Sequence, residues 1–138
     1  MKIINVNMVL DQIPAGTSQM KRVNHKSGHF FEGKVLREAR EIYTENLRHD
    51  APDQPREGPL YVRLDFHYAI KDKKKRGQPK TSRPDCDNLA KLILDVMTDL
   101  GYWHDDSQIA KLSISKQFSK AEHAFVFIEA SDCWEVYT

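Results

Sequence analysis

The sequence predicts a single-domain α+β protein with α/β-like character, in which a mixed sheet packs against two main helices. Three observations support this fold class. Apolar and polar residues alternate in four short segments, as in half-buried strands. In two longer segments apolar residues recur every three or four positions, as in amphipathic helices. Neither an internal repeat nor a long linker divides the 138 residues, so residues 1–138 are predicted to form one domain.

The first half of the chain is predicted to contain a strand, a helix and a second strand. Lys2–Leu10 is rich in Ile and Val and alternates weakly, which indicates a strand. Ile13–His29 is polar and contains glycine, as is typical of a loop. Helical spacing of apolar residues predicts a helix over Phe31–Leu47. After a proline-rich loop at Asp50–Pro59, regular alternation predicts a strand over Leu60–Ile70.

The second half is predicted to contain a loop, a helix and two strands. Lys71–Pro84 contains Gly and Pro without apolar periodicity, so we predict a mobile loop. A helix is then predicted between this loop and Gly101, from apolar residues at i, i+3, i+4, i+7, i+8 and i+11: Leu89, Leu92, Ile93, Val96, Met97 and Leu100. Ile109–Phe118 and Ala124–Ala130 are predicted strands, joined as a hairpin across Ser119–His123. The predicted order is therefore β-α-β-α-β-β.

The overall composition excludes several classes of protein. With 40% hydrophobic residues, six Gly and six Pro, the chain is neither disordered nor collagen-like. Two cysteines are too few for a secreted disulfide scaffold, and the first ten residues lack the features of a signal peptide, so we expect a cytoplasmic protein. Because no apolar run approaches the ~20 residues of a membrane helix, we expect no membrane partner.

The formal net charge of +1 conceals two adjacent segments of opposite sign. Residues 71–84 carry one acid and seven bases: Lys71, Lys73, Lys74, Lys75, Arg76, Lys80 and Arg83. Residues 85–106 carry one base and six acids: Asp85, Asp87, Asp95, Asp99, Asp105 and Asp106. A solvated loop followed by an acidic helix face would have this pattern. A metal-dependent enzyme acting on phosphodiesters would have it too, with bases that bind the phosphodiester backbone and carboxylates that bind the metal.

Polar residues of the second helix share one face. Asp87, Lys91 and Asp95 stand at i, i+4 and i+8. Asp85 lies just before the helix and the pair Asp105–Asp106 just after it, so a helix folded against the sheet could bring these acids together. Crowded carboxylates either raise a pKa or recruit a cation, and Mg²⁺ is a hard ion that prefers oxygen ligands.

Each of these residues also has a purely structural interpretation. Asp85 or Asp87 can act as a helix N-cap, a contribution of about 1 kcal/mol. Asp87 and Lys91 can form an i, i+4 ion pair worth a few tenths of a kcal/mol. We assign Asp95 and Asp99 to solvated helix positions.

One continuous stretch resembles a known protein family. It runs from Arg83-Pro84-Asp85-Cys86-Asp87-Asn88-Leu89-Ala90-Lys91 through Asp95 to Leu100-Gly101-Tyr102-Trp103-His104-Asp105-Asp106-Ser107-Gln108-Ile109. This combination of D-x-D-N-L-x-K, a helix that ends in Gly-aromatic-Trp, and D-D-x-Q is similar to the RusA family of Holliday-junction resolvases. The resemblance is close over 27 residues and looser over the whole element order.

The resemblance implies a homodimeric, Mg²⁺-dependent endonuclease, with Mn²⁺ as a possible substitute, that cuts four-way DNA junctions by paired symmetric nicks in recombination and repair. Carried over by position, Asp85, Asp87 and Asp106 would bind the metal, Lys91 would be the essential lysine, and Asp105 would be an accessory acid near the metal.

The bases between Lys71 and Arg83 are predicted to bind DNA phosphates without reading bases. Two alternatives remain open: a Mg²⁺-dependent nuclease for other branched DNA, and a catalytically silent junction-binding protein.

Overall fold

The computed structural model describes residues 3–17, 21–28 and 30–132. Within these ranges the elements in chain order are β1 (Ile4–Leu10), β2 (Lys21–Val23), β3 (Phe30–Glu32), α1 (Lys34–Leu47), β4 (Leu60–Tyr68), α2 (Cys86–Asp99), β5 (Ile109–Phe118) and β6 (Ala124–Asp132). The predicted α+β class, with a mixed sheet and two main helices, is confirmed.

The main sheet has the strand order β1-β6-β4-β5. Strand β6 pairs antiparallel with both β1 and β4, whereas β4 and β5 are parallel. The predicted β5–β6 hairpin is therefore wrong. The connection crosses the end of β4, where the Ser119 amide donates to the Tyr68 carbonyl at 2.7 Å, and β6 enters the sheet between β1 and β4.

Burial explains why β5 and β6 are not neighbours. One face of β4 and of β6 is completely buried, through Leu60, Val62, Leu64 and Phe66 and through Ala124, Val126, Ile128 and Ala130. Strand β5 has no fully buried residue, and Leu112 is exposed. The two apolar strands occupy the centre of the sheet and the more polar strand takes an edge, where pairing is incomplete.

Helix α2 is the crossover that joins the parallel strands β4 and β5. It packs against β5, and α1 packs against α2 and β1, so the sheet and both helices share one hydrophobic core. Gly101 ends α2 with a φ of +83°, the left-handed conformation predicted there. No helix in the described ranges has the length and apolarity needed to cross a bilayer.

The region before α1 differs from the prediction. β2 and β3 form a separate antiparallel pair, although residues 21–23 lie in the predicted loop. The helix predicted over Phe31–Leu47 begins only at Lys34, because Phe30–Glu32 pairs as a strand and Gly33 is extended, at φ −74° and ψ 173°. The basic stretch contains one short 3-10 turn, Lys73–Lys75, and is otherwise irregular, as predicted for a loop.

Candidate active site

The amino-terminal end of α2 presents the first pair of carboxylates. Asp85 is the N-cap residue, and its carbonyl accepts the first helical hydrogen bond from the Leu89 amide at 3.1 Å. Its side chain forms no capping hydrogen bond, so the carboxylate of Asp85 does not bind the helix amides. Asp87, two residues further on, and Lys91, one turn after Asp87, are both exposed on the polar side of α2.

The second acidic pair is held by a capping box. Asp105 accepts a hydrogen bond from the Ser107 amide at 2.8 Å and caps the 3-10 turn Asp106–Gln108. The side-chain oxygen of Gln108 accepts from the amides of His104, at 2.8 Å, and of Asp105, at 3.0 Å. Asp105 thus has a structural role in this turn, and the turn presents the carboxylate of Asp106.

Gln108 also ties this turn to the chain that leads into β4. Its side-chain nitrogen donates to the carbonyls of Arg56, at 2.9 Å, and of Gly58, at 3.0 Å. Upstream of the turn, the buried Trp103 donates from Nε1 to Thr98 Oγ1 at 2.7 Å. The α2–β5 connection is therefore bonded to α2 at one end and to the chain before β4 at the other.

These elements meet at a cavity of about 220 Å³ between α2 and β5. Its polar lining comes from Asp87, Lys91, Asp95 and Asp106, and its apolar lining from Ala90, Leu94, Leu112 and Ile114. The sequence predicts that the start of α2 and the segment after α2 come together. The structure brings Asp87, Lys91 and Asp106 together in this way, because all three line the cavity. Asp85 and Asp105 do not line this cavity.

Asp95 departs from the prediction that it is a solvated helix residue. It is half-buried and lines the cavity beside Asp106. It also lines a neighbouring open cleft of about 330 Å³, together with Asp105 and Asp106. The i, i+4, i+8 spacing that groups it with Asp87 and Lys91 was the signal for this position.

The charges of the site act on Asp106. Partial burial, a hydrogen bond to Asp105 and the negative charges of Asp105 and Asp95 raise the pKa of Asp106, and the ammonium group of Lys91 opposes this shift. Hydrogen bonds from Ser107 and Asp106 lower the pKa of Asp105. Negative charge is thus concentrated beside Asp106, where a bound cation would relieve the repulsion.

The donor set fits a hydrated Mg²⁺ ion better than a metal enclosed by protein ligands. Within the described ranges no three His, Cys, Asp or Glu side chains lie close enough together to hold a metal. Mg²⁺ is usually held through one or two carboxylates and keeps several waters. Asp87 from α2 and Asp106 from the following 3-10 turn line one cavity and meet that requirement.

The basic segment, residues 71–83, lies along the same edge strand as the cavity. The Gly77 amide donates to the Phe118 carbonyl at 2.8 Å, and the Lys80 amide donates to the Lys116 carbonyl at 3.2 Å. These hydrogen bonds attach the middle of the segment to the end of β5. The loop prediction is confirmed, and the mobility of the loop stays a prediction.

Most side chains of the basic segment face solvent. Lys71, Lys73–Lys75 and Arg83 are exposed, whereas Arg76 and Lys80 are half-buried. The Lys80 ammonium group donates to the Arg83 carbonyl at 2.8 Å and to the Ser82 hydroxyl, so it is already bonded within the chain. Lys80 therefore contributes less free positive charge to this surface than its neighbours.

Comparison with known proteins agrees with the resemblance found in the sequence. The sequence model of the family described as Endodeoxyribonuclease RusA matches residues 12–129. The chain belongs to the RusA endodeoxyribonuclease family. It is also similar to the crossover junction endodeoxyribonuclease rusA of Lactococcus phage r1t, with 55% identity over 58 residues, which are 42% of this chain and 44% of that protein. The aligned part therefore spans less than half of the phage protein.

The RusA match extends from the loop after β1 into β6 and includes every residue of the candidate site. Two residues that matter for this site were missed by the sequence reasoning. Gln108 is the last polar residue of the D-D-x-Q motif, but two of its four hydrogen bonds, to the Arg56 and Gly58 carbonyls, depend on the tertiary fold. Lys116 lies within the predicted strand Ile109–Phe118. The structure pairs it with the buried Phe66 of β4, so its side chain starts from the inner face of the sheet.

Proposed function

We propose that this RusA-family chain is a Mg²⁺-dependent endonuclease that resolves four-way DNA junctions by paired symmetric nicks, acts as a homodimer, and serves recombination and repair. Mn²⁺ is proposed as a substitute metal. The cytoplasmic location stays a prediction.

One observation carries this proposal. Asp87, Lys91 and Asp106 come from two separate chain segments and line one cavity beside Leu112 of the edge strand β5. The basic segment is bonded to the other end of the same strand. A phosphodiester bound along this edge would contact basic side chains and carboxylates together.

The chain's own residues would have distinct roles in the reaction. Asp87 and Asp106 would supply the oxygen ligands for the metal, and Asp85, two residues before Asp87, is exposed at the start of α2. Bound Mg²⁺ would supply Lewis-acid chemistry, activating water and offsetting charge at the leaving oxygen. The Lys91 ammonium group would stabilise the negative charge that develops on the phosphoryl oxygens.

DNA binding would depend on structure more than on sequence. The exposed lysines of the basic segment contact phosphates, which carry no base identity, so we expect weak sequence preference and steep weakening by salt. A four-way junction has approximate two-fold symmetry. A C2 homodimer would place two equivalent sites on matching strands and so produce paired nicks.

The test is cleavage of a synthetic four-way junction with Mg²⁺, in which the native protein is compared with Asp87→Asn. We expect symmetric nicks by the native protein and at least a ~100-fold slower rate for the variant. The oligomeric state is measured in parallel by light scattering, where a monomer at working concentration would contradict the homodimer.

Two other outcomes identify the alternatives. Equal cleavage of forks, flaps and junctions would indicate a nuclease for branched DNA in general. Tight junction binding without cleavage at any Mg²⁺ or Mn²⁺ concentration would indicate a silent junction-binding protein. If Asp87→Asn cuts as fast as the native protein, Asp87 does not belong to the site.

A further inference from the structure

Lysine ammonium groups hold the chain directly before α2. Lys116 Nζ, from β5, donates to the Ser82 carbonyl at 2.7 Å and to the Pro84 carbonyl at 2.8 Å. Lys80 Nζ donates to the Arg83 carbonyl at 2.8 Å. All three consecutive carbonyls from Ser82 to Pro84 therefore accept a charge-assisted hydrogen bond, and the next residue is Asp85.

The position of Lys116 is unusual for a lysine. Its side chain lies on the helix-facing side of β5, in the row that also contains Ile114 and Phe118. Lysine is costly on such a face unless its ammonium group is bonded, because partial burial removes water from the charge. Here two backbone carbonyls replace that water, so the lysine bridges the edge strand and the start of α2.

Lys80 also holds this segment, through hydrogen bonds to Ser82 and Arg83. Its ammonium group lies 4.8 Å from the centre of the Tyr68 ring, at the end of β4. Lys80 thus connects the segment to β4, and Lys116 connects it to β5. Because the Lys80 and Lys116 ammonium groups are occupied in this way, they are not arranged as phosphate contacts.

We propose that Lys116, assisted by Lys80, is a positioning residue that fixes the backbone of Ser82–Pro84 and thereby fixes the start of α2, which places Asp87 at the cavity. The proposal rests on the nuclease function above, because it assigns Lys116 to that same site. Lys116 itself contacts neither DNA nor metal in this proposal.

The test compares Lys116→Met with Lys116→Arg and with the control Lys34→Met, which removes the same charge from an exposed position of α1. The measurements are the Kd for Mg²⁺ by calorimetry without DNA, the Kd for a four-way junction in Ca²⁺, and amide hydrogen exchange over residues 82–89.

We expect Lys116→Met to weaken Mg²⁺ binding about 10–100-fold, the range seen when groups that orient metal ligands are removed. Amide exchange should become faster over residues 82–89, while the Kd for the junction changes less than about threefold. Lys116→Arg retains donors for the two carbonyls and should restore part of the Mg²⁺ affinity. Lys34→Met should match the native protein in all measurements.

The opposite pattern would overturn the proposal. If Lys116→Met loses junction affinity while Mg²⁺ binding and exchange stay native, Lys116 is a phosphate contact and not a positioning residue. If Lys116→Met does not fold, the test uses Lys80→Met, which removes the Lys80 hydrogen bonds to the segment and keeps those of Lys116. Native Mg²⁺ affinity together with native amide exchange in Lys80→Met would contradict the proposal. If the native protein cuts no DNA but Lys116→Met still accelerates exchange, the nuclease proposal fails while the positioning role stands.

Discussion

Replacing Asp106 by Asn removes one negative charge from the cavity while the side chain keeps its size. The structure predicts opposite effects on stability and on activity. Burial and the negative charges of Asp105 and Asp95 raise the pKa of Asp106, which means that the folded chain disfavours its ionised form. Without a metal, the variant should therefore be more stable than the native protein, whereas its cleavage activity should fall.

The gain in stability should be small. Like charges at neighbouring exposed positions cost about 0.2–0.5 kcal/mol per pair, and water screens them further. Asp106 faces two such neighbours, and Lys91 offsets part of the repulsion. We expect the free energy of unfolding to rise by about 0.5 kcal/mol, which corresponds to about 2 °C in Tm for a chain of this length.

The pH dependence of this gain has a definite sign. A carboxyl whose pKa is raised by folding binds more protons in the folded state, so its destabilising effect is present above the folded pKa. The advantage of Asp106→Asn over the native protein should therefore be complete near pH 7. It should decrease as the pH falls below that folded pKa and disappear below the ordinary pKa of an aspartate, where the carboxyl is neutral in both the folded and the unfolded state.

The assay is thermal unfolding in EDTA and in Mg²⁺, combined with junction cleavage. In EDTA, Asp106→Asn should melt about 2 °C above the native protein. Mg²⁺ at ten times its Kd should stabilise the native protein by about 1.4 kcal/mol and the variant by less. Cleavage by the variant should be slower by at least ~100-fold.

Asp53→Asn is the matched control, since Asp53 is exposed in the loop before β4 and should behave like the native protein in every measurement. A native-like response of Asp106→Asn to Mg²⁺, with native cleavage, would refute the assignment of Asp106 to the site. A lower Tm in EDTA would refute the argument from charge repulsion.

Three further predictions concern other parts of the molecule. Lys91→Ala should reduce the cleavage rate about 10²–10³-fold and lower the Tm by at most about 2 °C, because its exposed ammonium group offsets only part of the repulsion at Asp106; a rate within threefold of native would exclude its role. Replacing Lys73–Lys75 by Ala should reduce the slope of log K against log [salt] by about 2–3 in junction-binding titrations, whereas Lys80→Ala should change it by less than 1; equal slopes would contradict the exposed-lysine argument. Tyr102→Phe should lower the unfolding free energy by about 1–3 kcal/mol in urea titrations, because the Tyr102 hydroxyl donates to the buried Leu47 carbonyl at 2.6 Å; an unchanged midpoint would contradict this.

The elements with strong local patterns were predictable from the sequence. Helix α2 follows from its apolar spacing and from Gly101, and β4 follows from strict alternation. The same spacing on the polar side of α2 led to Asp87 and Lys91. These features depend on residues within a few helical turns or strand positions of one another. One continuous segment of sequence is therefore enough to predict each of them.

Features that depend on distant segments were not predictable in the same way. The alternating sequence of β6 is compatible with a hairpin to β5 and also with insertion between β1 and β4. The structure has the insertion, in which the buried faces of β4 and β6 lie side by side. Phe30 and Phe31 suit a helix start or a strand equally, and pairing with β2 selects the strand. Gln108 and Lys116 act through backbone groups about 30–50 residues away, which no spacing rule reveals.

The neighbouring charge runs would have no function if they neutralised each other. Within the described ranges, the ion pairs join none of the bases of the basic segment to the acids of residues 85–106. The fold separates the two runs, because the amides of the basic segment are bonded to the end of β5, whereas Asp87, Asp95 and Asp106 line a cavity beside Leu112 and Ile114 of that strand. A closed salt bridge would leave neither charge available to a ligand. Separated along one edge strand, the positive run can bind phosphates and the negative run can bind the cation that we propose for their hydrolysis.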